Sequence, residues 1–406
     1  MISLISYQEA HNRIAAAIQI LPVLELPLLE AINRTLSAPL QAPFPMPRFN
    51  QSAVDGYAVR AQDVESASNE SPVRLQLVSE VRTGSVPTRS IMIGEASKVY
   101  TGAMIPFGAN TVIMIEDAVF KDDYLRFDAP VKLDMNIRHF GEEFMKGDVC
   151  LNPGIRMTPA AISLAASLGL THIPVRRAPR VALIVTGNEL VEPGEPLEDA
   201  QVYDSNRFGL LAALDHLRIP EVTIARCKDD IDSLTDALTR AIEFADLVIT
   251  SGGASVGDVD FVKPAISKLG GTIIFDSIAI KPGKPVVFAN LSGKILFGLP
   301  GNPVSALVTF LLFVKPALQA LENGNYAQPR LESALLTEDV RKKTPRTDFV
   351  RATAHDHDGK VLVSPCRGQD SHMLGGLATA NSLIVFDGEP RTLPKGSNVE
   401  IVRIEW

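Results

Sequence analysis

From about Arg180 to Leu321 the chain repeats one pattern: a short apolar run, a turn rich in Gly, Asn and acids, then a stretch with helical spacing. "RVALIV" leads to a helix starting near Asn206 and "EVTIAR" to "IDSLTDALTRAIEFA". "DLVIT" precedes a helix near Phe261, and "ILFGL" precedes "NPVSALVTFLLFVKPAL". This alternation predicts a largely parallel sheet covered by helices, because a parallel crossover needs a segment long enough to carry the chain back.

In such open sheets, ligands bind beyond the carboxyl ends of the strands. Three turns at that edge carry unusual chemistry. "VTGNEL" supplies Thr186, Gly187 and Glu189, and "TSGGASVGDVD" supplies Ser251, Gly252, Gly253, Ser255, Asp258 and Asp260. "GLPGNPVSA" supplies Pro300, Asn302, Pro303 and Ser305. Glycine lets main-chain amides approach a ligand closely, hydroxyls donate, and a helix opening at Pro303 turns free N–H groups toward an anion. Asp258 and Asp260 suit a cation. In "AIKPGKP", Lys281 and Lys284 flank a Pro-Gly turn. Two ammonium groups held close repel unless an anion lies between them, so the pair reads as an anion clamp. A solvated hairpin accounts equally well for the lysines taken alone. Glu189 would repel a phosphate at this edge unless a divalent cation bridges them, and Mg²⁺ reconciles the charges.

The 406 residues exceed one ordinary core. Residues 1–50 read as a helix from near Ser6 followed by the proline-rich "LQAPFPMPRF". Residues 51–137 read as short strands separated by turns. "TPAAISLAASLGL" is a helix with Thr158 as N-cap and Pro159 in its first turn, and it rejoins the first unit. The expected division is therefore a discontinuous helical linker unit (1–50 and 138–178), an inserted β domain (51–137), the α/β domain (179–325) and a second all-β domain (326–406). "HDHD", followed by Gly359, reads as a hairpin turn rather than a metal-binding histidine pair.

A net charge of −8 argues against nucleic-acid and anionic-membrane partners. Cys150, Cys227 and Cys366 are far apart and fit a reduced, cytoplasmic setting. "MISLISYQEAHNRI" lacks the pattern of a secretory leader, and the apolar runs are broken before bilayer-spanning length.

Taken together and in order, "SAVDGYAV", "TGAMIPFGANTVIMIED", "GEEFMKGD", "TGNELVEPGEPL", "YDSN", "TSGGASVGDVDFV", "AIKPGKPVVF" and "GLPGNPVSALVTF" resemble the molybdopterin molybdenumtransferase family, which includes the gephyrin E domain. The resemblance covers nearly all of the chain. It implies a multidomain α/β plus β fold, with a central molybdopterin-binding-type α/β domain, an inserted β domain, a helical linker unit and a C-terminal β-barrel. It also implies insertion of molybdenum from molybdate into adenylylated molybdopterin, with Mg²⁺ and release of AMP. Asp55, Thr101, Glu189 and Asp260 correspond to catalytic positions, and Glu189, Asp229 or Asp230, Asp258 and Asp260 to acids available for the metal. Arg351 and Ser371 join the substrate-binding set. The family forms homodimers with a composite site, and molybdopterin adenylyltransferase and recipient molybdoenzymes are the implied further partners. Adenylylation of molybdopterin, or a non-catalytic scaffold, are the alternative activities. Asn188 stands where the family usually has an acid, and Gly375 and Gly376 where it often has serines. The expected consequences are altered metal binding and a weaker oxyanion site.

Overall fold

The computed structural model describes residues 4–253 and 260–406, so Ser255 and Asp258 of the expected site lie outside the described residues. The chain divides into two compact units. One comprises the chain up to Glu25, Asn33–Ser37 and Pro174–Trp406; the other comprises Leu26–Ile32 and Ala38–Ile173.

The first unit is built on a six-stranded sheet. Its spatial order is Glu221–Cys227, Arg180–Thr186, Leu247–Ser251, Lys294–Leu299, Val287–Leu291 and Thr272–Phe275. The first four strands are mutually parallel; Val287–Leu291 runs antiparallel to them, and Thr272–Phe275 is in turn antiparallel to it. Arg180–Thr186 shows why its sequence is continuously apolar. Val181, Leu183 and Val185 pack with Leu210 and Leu214 on one face, while Ala182 and Ile184 pack with Leu234 and Leu238 on the other. A strand covered on both sides has no solvent face on which to alternate.

The helices begin where polar side chains can replace missing backbone partners. Asp204 caps Ser205–His216 by accepting from the Arg207 amide at 3.1 Å. Asp230 caps Ile231–Phe244 through the Ser233 amide at 2.7 Å. The helical run Pro303–Asn323 is long and apolar enough to cross a membrane, but 83% of its most apolar window is buried inside the fold, as in a core helix. Within it, Phe310–Val314 forms a π-helical turn just before Pro316. Proline lacks an N–H and its ring collides with the carbonyl four residues earlier, and the wider turn accommodates both.

A closed five-stranded barrel follows. Thr347–His357, Lys360–Pro365, Leu331–Leu336, Asn398–Arg403 and Ser382–Phe386 pair in that order, and the last pairs back onto the first. Ile280–Lys281 adds to the barrel by pairing in parallel with Thr347 and Asp348. His355 and His357 lie exposed on a hairpin arm that turns at Asp358 and Gly359, both with positive φ, as the sequence suggests.

Ser6 caps the helix Tyr7–Ala17, whose Ala10 and Ile14 share a core with Phe313 and Phe349. His11 on this helix is 1% exposed, with Nδ1 2.7 Å from the Tyr326 hydroxyl.

The second unit contains a six-stranded sheet in the order Thr111–Met114, Gly56–Val59, Glu95–Val99, Val73–Val81, Tyr124–Phe127 and Val119–Lys121. Gly56 is a packing requirement, since a Cβ there would sit 2.0 Å from the Ile113 carbonyl oxygen. The helix Pro159–Ser167 belongs to this unit and is capped by Thr158, which accepts from the Ala161 amide at 3.2 Å. The multidomain α/β plus β architecture with a C-terminal barrel is thus present.

Burial lowers the His11 pKa to about 4. The unfolded chain therefore takes up a proton near pH 6.5 that the folded chain refuses until about pH 4. Stability contributed by neutral His11 is full above pH 6.5 and falls as pH drops through that window, by about 3 kcal/mol in all. Urea unfolding of wild type and His11→Gln at pH 7.5, 5.5 and 4.5 should show the wild-type advantage shrinking with acidity.

Candidate active site

The parallel register ends four strands on one line. Thr186 lies opposite Cys227, Val185 opposite Ser251, and Ser251 opposite Leu299. The segments after these strands are therefore neighbours, although they are far apart in sequence.

At one end of this edge, Asp229 closes the first loop. Its carboxylate accepts from the Thr186 hydroxyl and from the Asn188 amide at 3.1 Å, while its own amide donates to the Asn188 side-chain oxygen at 3.4 Å. Asn188 is thus tied to Asp229. Glu189 beside it is exposed. Gly252 has φ +92°, and a Cβ there would come within 2.3 Å of the Thr186 carbonyl oxygen. Only glycine allows both that backbone conformation and that approach.

Asn206 crosses the middle of the edge, donating to the Ser251 hydroxyl at 3.0 Å and the Gly301 carbonyl at 2.8 Å. Sequence reading missed it, although "YDSN" carries it. At the far end, Asn302 precedes the helix Pro303–Thr309 without capping it and donates instead to the Ser371 hydroxyl at 3.0 Å. Ser371 also accepts the Val304 amide at its carbonyl, 3.2 Å away.

A cavity of about 460 Å³ opens here, walled by Lys281, Lys284, Asn302, Ser305, Ser371 and Arg346, among others. Lys281 and Lys284 are half-buried and have no carboxylate within 4.0 Å among the described residues. Gly283 between them has φ +101°, and a Cβ there would meet the Thr309 methyl at 2.3 Å, so the turn lies directly against the helix. Arg346 and His372 line the same cavity. Neither stood out in sequence, because nothing local marks a lone cation in a loop.

Several expected roles change. Arg351 is fully buried, and its guanidinium donates to the Gly368 carbonyl and to the Asp370 carbonyl at 3.1 Å. It therefore shapes the loop that carries Ser371 rather than lining the cavity. Burial also pushes its pKa down. Gln369 completes the attachment, accepting from the Arg351 amide at 3.0 Å and donating to the Arg351 and Cys366 carbonyls at 2.9 and 2.8 Å. Asp230, expected near a metal, is committed to capping its helix. Asp260 accepts from the Val262 and Lys263 amides and lies 3.0 Å from the Lys263 ammonium. Among the described residues no three His, Cys, Asp or Glu side chains form a metal-binding group. Mg²⁺ nevertheless needs only one or two carboxylates when phosphate and water complete its shell. The all-oxygen set of Thr186, Asp229 and exposed Glu189 suits that mode of binding.

In the second unit, the Asp55 carboxylate accepts from the Thr101 amide at 2.7 Å and its hydroxyl at 2.8 Å. These two bonds hold Asp55 below the usual carboxylate range, so it is an oriented, charged acceptor.

The MoeA N-terminal region (domain I and II) matches residues 5–169, a probable molybdopterin binding domain matches 182–320, and the MoeA C-terminal region (domain IV) matches 333–404. Fold and site thus define a multidomain protein of the MoeA class, with a molybdopterin-binding-type domain at its centre. A molybdopterin molybdenumtransferase from Haemophilus influenzae is 37% identical over 93% of this chain and 92% of its own length. One from Bacillus subtilis is 34% identical over 93% and 89%. The crystal structure of a molybdopterin biosynthesis moea protein from Pyrococcus horikosii superposes with a TM-score of 0.84 at 30% identity, covering all of both chains. The chain belongs to the molybdopterin molybdenumtransferase family.

Gly376 gives this site its own constraint. A Cβ there would fall 2.7 Å from the Arg367 carbonyl oxygen and 3.0 Å from that of Gly368. Gly376→Ser should therefore lower the thermal unfolding midpoint, because the loop bearing Ser371 must shift, while Gly375→Ser, where a Cβ meets nothing within 4 Å, should leave it unchanged.

Proposed function

We propose that this protein inserts molybdenum from molybdate into the dithiolene of adenylylated molybdopterin, releasing AMP. The observation that supports this most strongly is the cavity in which Lys281, Lys284 and Arg346 face Asn302, Ser305 and Ser371. Fixed cations and hydroxyl or amide donors without a competing ion-paired carboxylate suit a tetrahedral oxyanion. Such a pocket discriminates poorly between molybdate and tungstate, two dianions of nearly equal size.

In this reading Lys281 and Lys284 bind the oxyanion electrostatically, while Ser305 and Ser371 fix its orientation. Gly252 and Gly253 bring backbone close to the phosphate-bearing substrate, and Ser251, held by Asn206, adds a hydroxyl. Glu189 and Asp229, with the Thr186 hydroxyl, would hold Mg²⁺, which supplies counter-charge to the phosphate at the AMP bond. The protein would work as a homodimer, with Asp55 of one subunit serving the site that contains Glu189 of the other.

Glu189→Gln keeps the side-chain volume but removes its charge. AMP release should fall roughly 10- to 100-fold, with the unfolding midpoint unchanged. An unchanged rate at limiting Mg²⁺ would refute the assignment. Lys281→Ala and Lys284→Ala should each weaken molybdate binding, with a smaller deficit at high salt.

The composite site has its own test. Asp55→Asn and Glu189→Gln, each strongly impaired, should regain activity when their subunits exchange, because a mixed dimer contains one pocket free of both changes. Mixed dimers verified by mass spectrometry that release no more AMP than the parents would exclude sharing.

A further inference from the structure

Lys281 stands on a partition. On one side lies the 460 Å³ cavity with Lys284 and Arg346. On the other lies a second cavity of about 210 Å³, lined by Asp348, Asp339, Arg341 and Gln369 among others, and Lys281 and Pro282 form part of both walls. Asp348 is the residue paired with Lys281 where the strand Ile280–Lys281 joins the barrel. It is only 7% exposed, yet its one side-chain hydrogen bond is a long one of 3.4 Å from the Thr344 hydroxyl. No cation lies within ion-pair distance of it among the described residues. Burial raises its carboxyl, and Lys281 leads the cations that oppose this, ahead of Lys342 and Arg346. Lys342 is itself committed, donating to the Phe386 carbonyl at 2.7 Å.

Lys281, with buried Asp348 on one side and Lys284, Arg346 and Asp370 on the other, has two seats. Without an anion, repulsion from Lys284 and Arg346 favours the side of Asp348; a bound dianion reverses that preference. We propose that Asp348 is a positioning residue that holds Lys281 back in the empty site, thereby limiting oxyanion affinity so that the anion can leave the cavity for the reaction. This rests on the oxyanion reading of the cavity above. It goes further by assigning a buried acid the task of opposing binding through Lys281.

The test is calorimetric titration of the full-length protein with sodium molybdate. Asp348→Asn keeps the shape and removes the charge. It should bind molybdate roughly three- to tenfold more tightly, the scale of one unit charge acting across several ångströms in a partly screened site. In a Lys281→Ala background the same substitution should change affinity by less than about twofold, since its effect passes through Lys281. A merely structural role would weaken binding or leave it alone, and either result in folded Asp348→Asn overturns the proposal. A wild-type chain that binds no molybdate, or lysine variants that bind it as wild type does, would refute the oxyanion reading and this inference with it. Should Asp348→Asn fail to fold, ¹⁵N-lysine spectra of the wild type decide. The Lys281 resonance, assigned by its loss in Lys281→Arg, should move on addition of molybdate. A stationary Lys281 signal beside a shifting Lys284 signal overturns the proposal.

Discussion

Four parallel strands that end in register at Thr186, Cys227, Ser251 and Leu299 set the conditions for everything at the site. Parallel pairing runs every strand in the same direction, so each carboxyl end delivers its loop to one edge. The loops must then pack against each other as well as against a ligand. Gly252 meets the first demand by coming within contact of the Thr186 carbonyl, an approach that a side chain would forbid. Asn206 and Asp229 meet the same demand by using their polar groups to tie one loop to the next.

Charge is partitioned along that edge. The acids Glu189 and Asp229 cluster around the first strand's loop, while Lys281, Lys284 and Arg346 surround the cavity near the last. The lysines are placed by two contacts of different kinds. Ile280–Lys281 is held as a short strand on the barrel, and Gly283 is pressed against the helix Pro303–Thr309. The barrel therefore helps to form the cavity's wall. Its buried Arg351 and Gln369 hold the loop from Cys366 to Ser371 from behind, by satisfying backbone carbonyls and amides that no regular ladder would satisfy.

Two positions show how tightly these loops are fitted. Asn188 forms a reciprocal pair of hydrogen bonds with Asp229, a contact in which its amide side chain acts only as an acceptor. Gly376 occupies a place where the loop passes too close for any Cβ.

The sequence by itself determined the strand–turn–helix grammar, the helix start near Ser6, the cap at Thr158 and the hairpin at Gly359, because these depend on periodicity and on the φ and hydrogen-bonding preferences of neighbouring residues. It also exposed Lys281 and Lys284 as an unusual pair. What only the tertiary structure decided is which way each polar group faces. Arg351, which the resemblance places in the substrate-binding set, is buried under its own loop, and Asp230, offered with Asp229 as an acid for the metal, caps a helix. Arg346, His372, Asn206 and Asp348 gain their meaning from partners 45 or more residues away in the first fold or from a shared cavity wall. Burial and long-range register create those relations, and no local pattern encodes them, because the same side chain is a solvated charge or a buried anchor according to what packs over it.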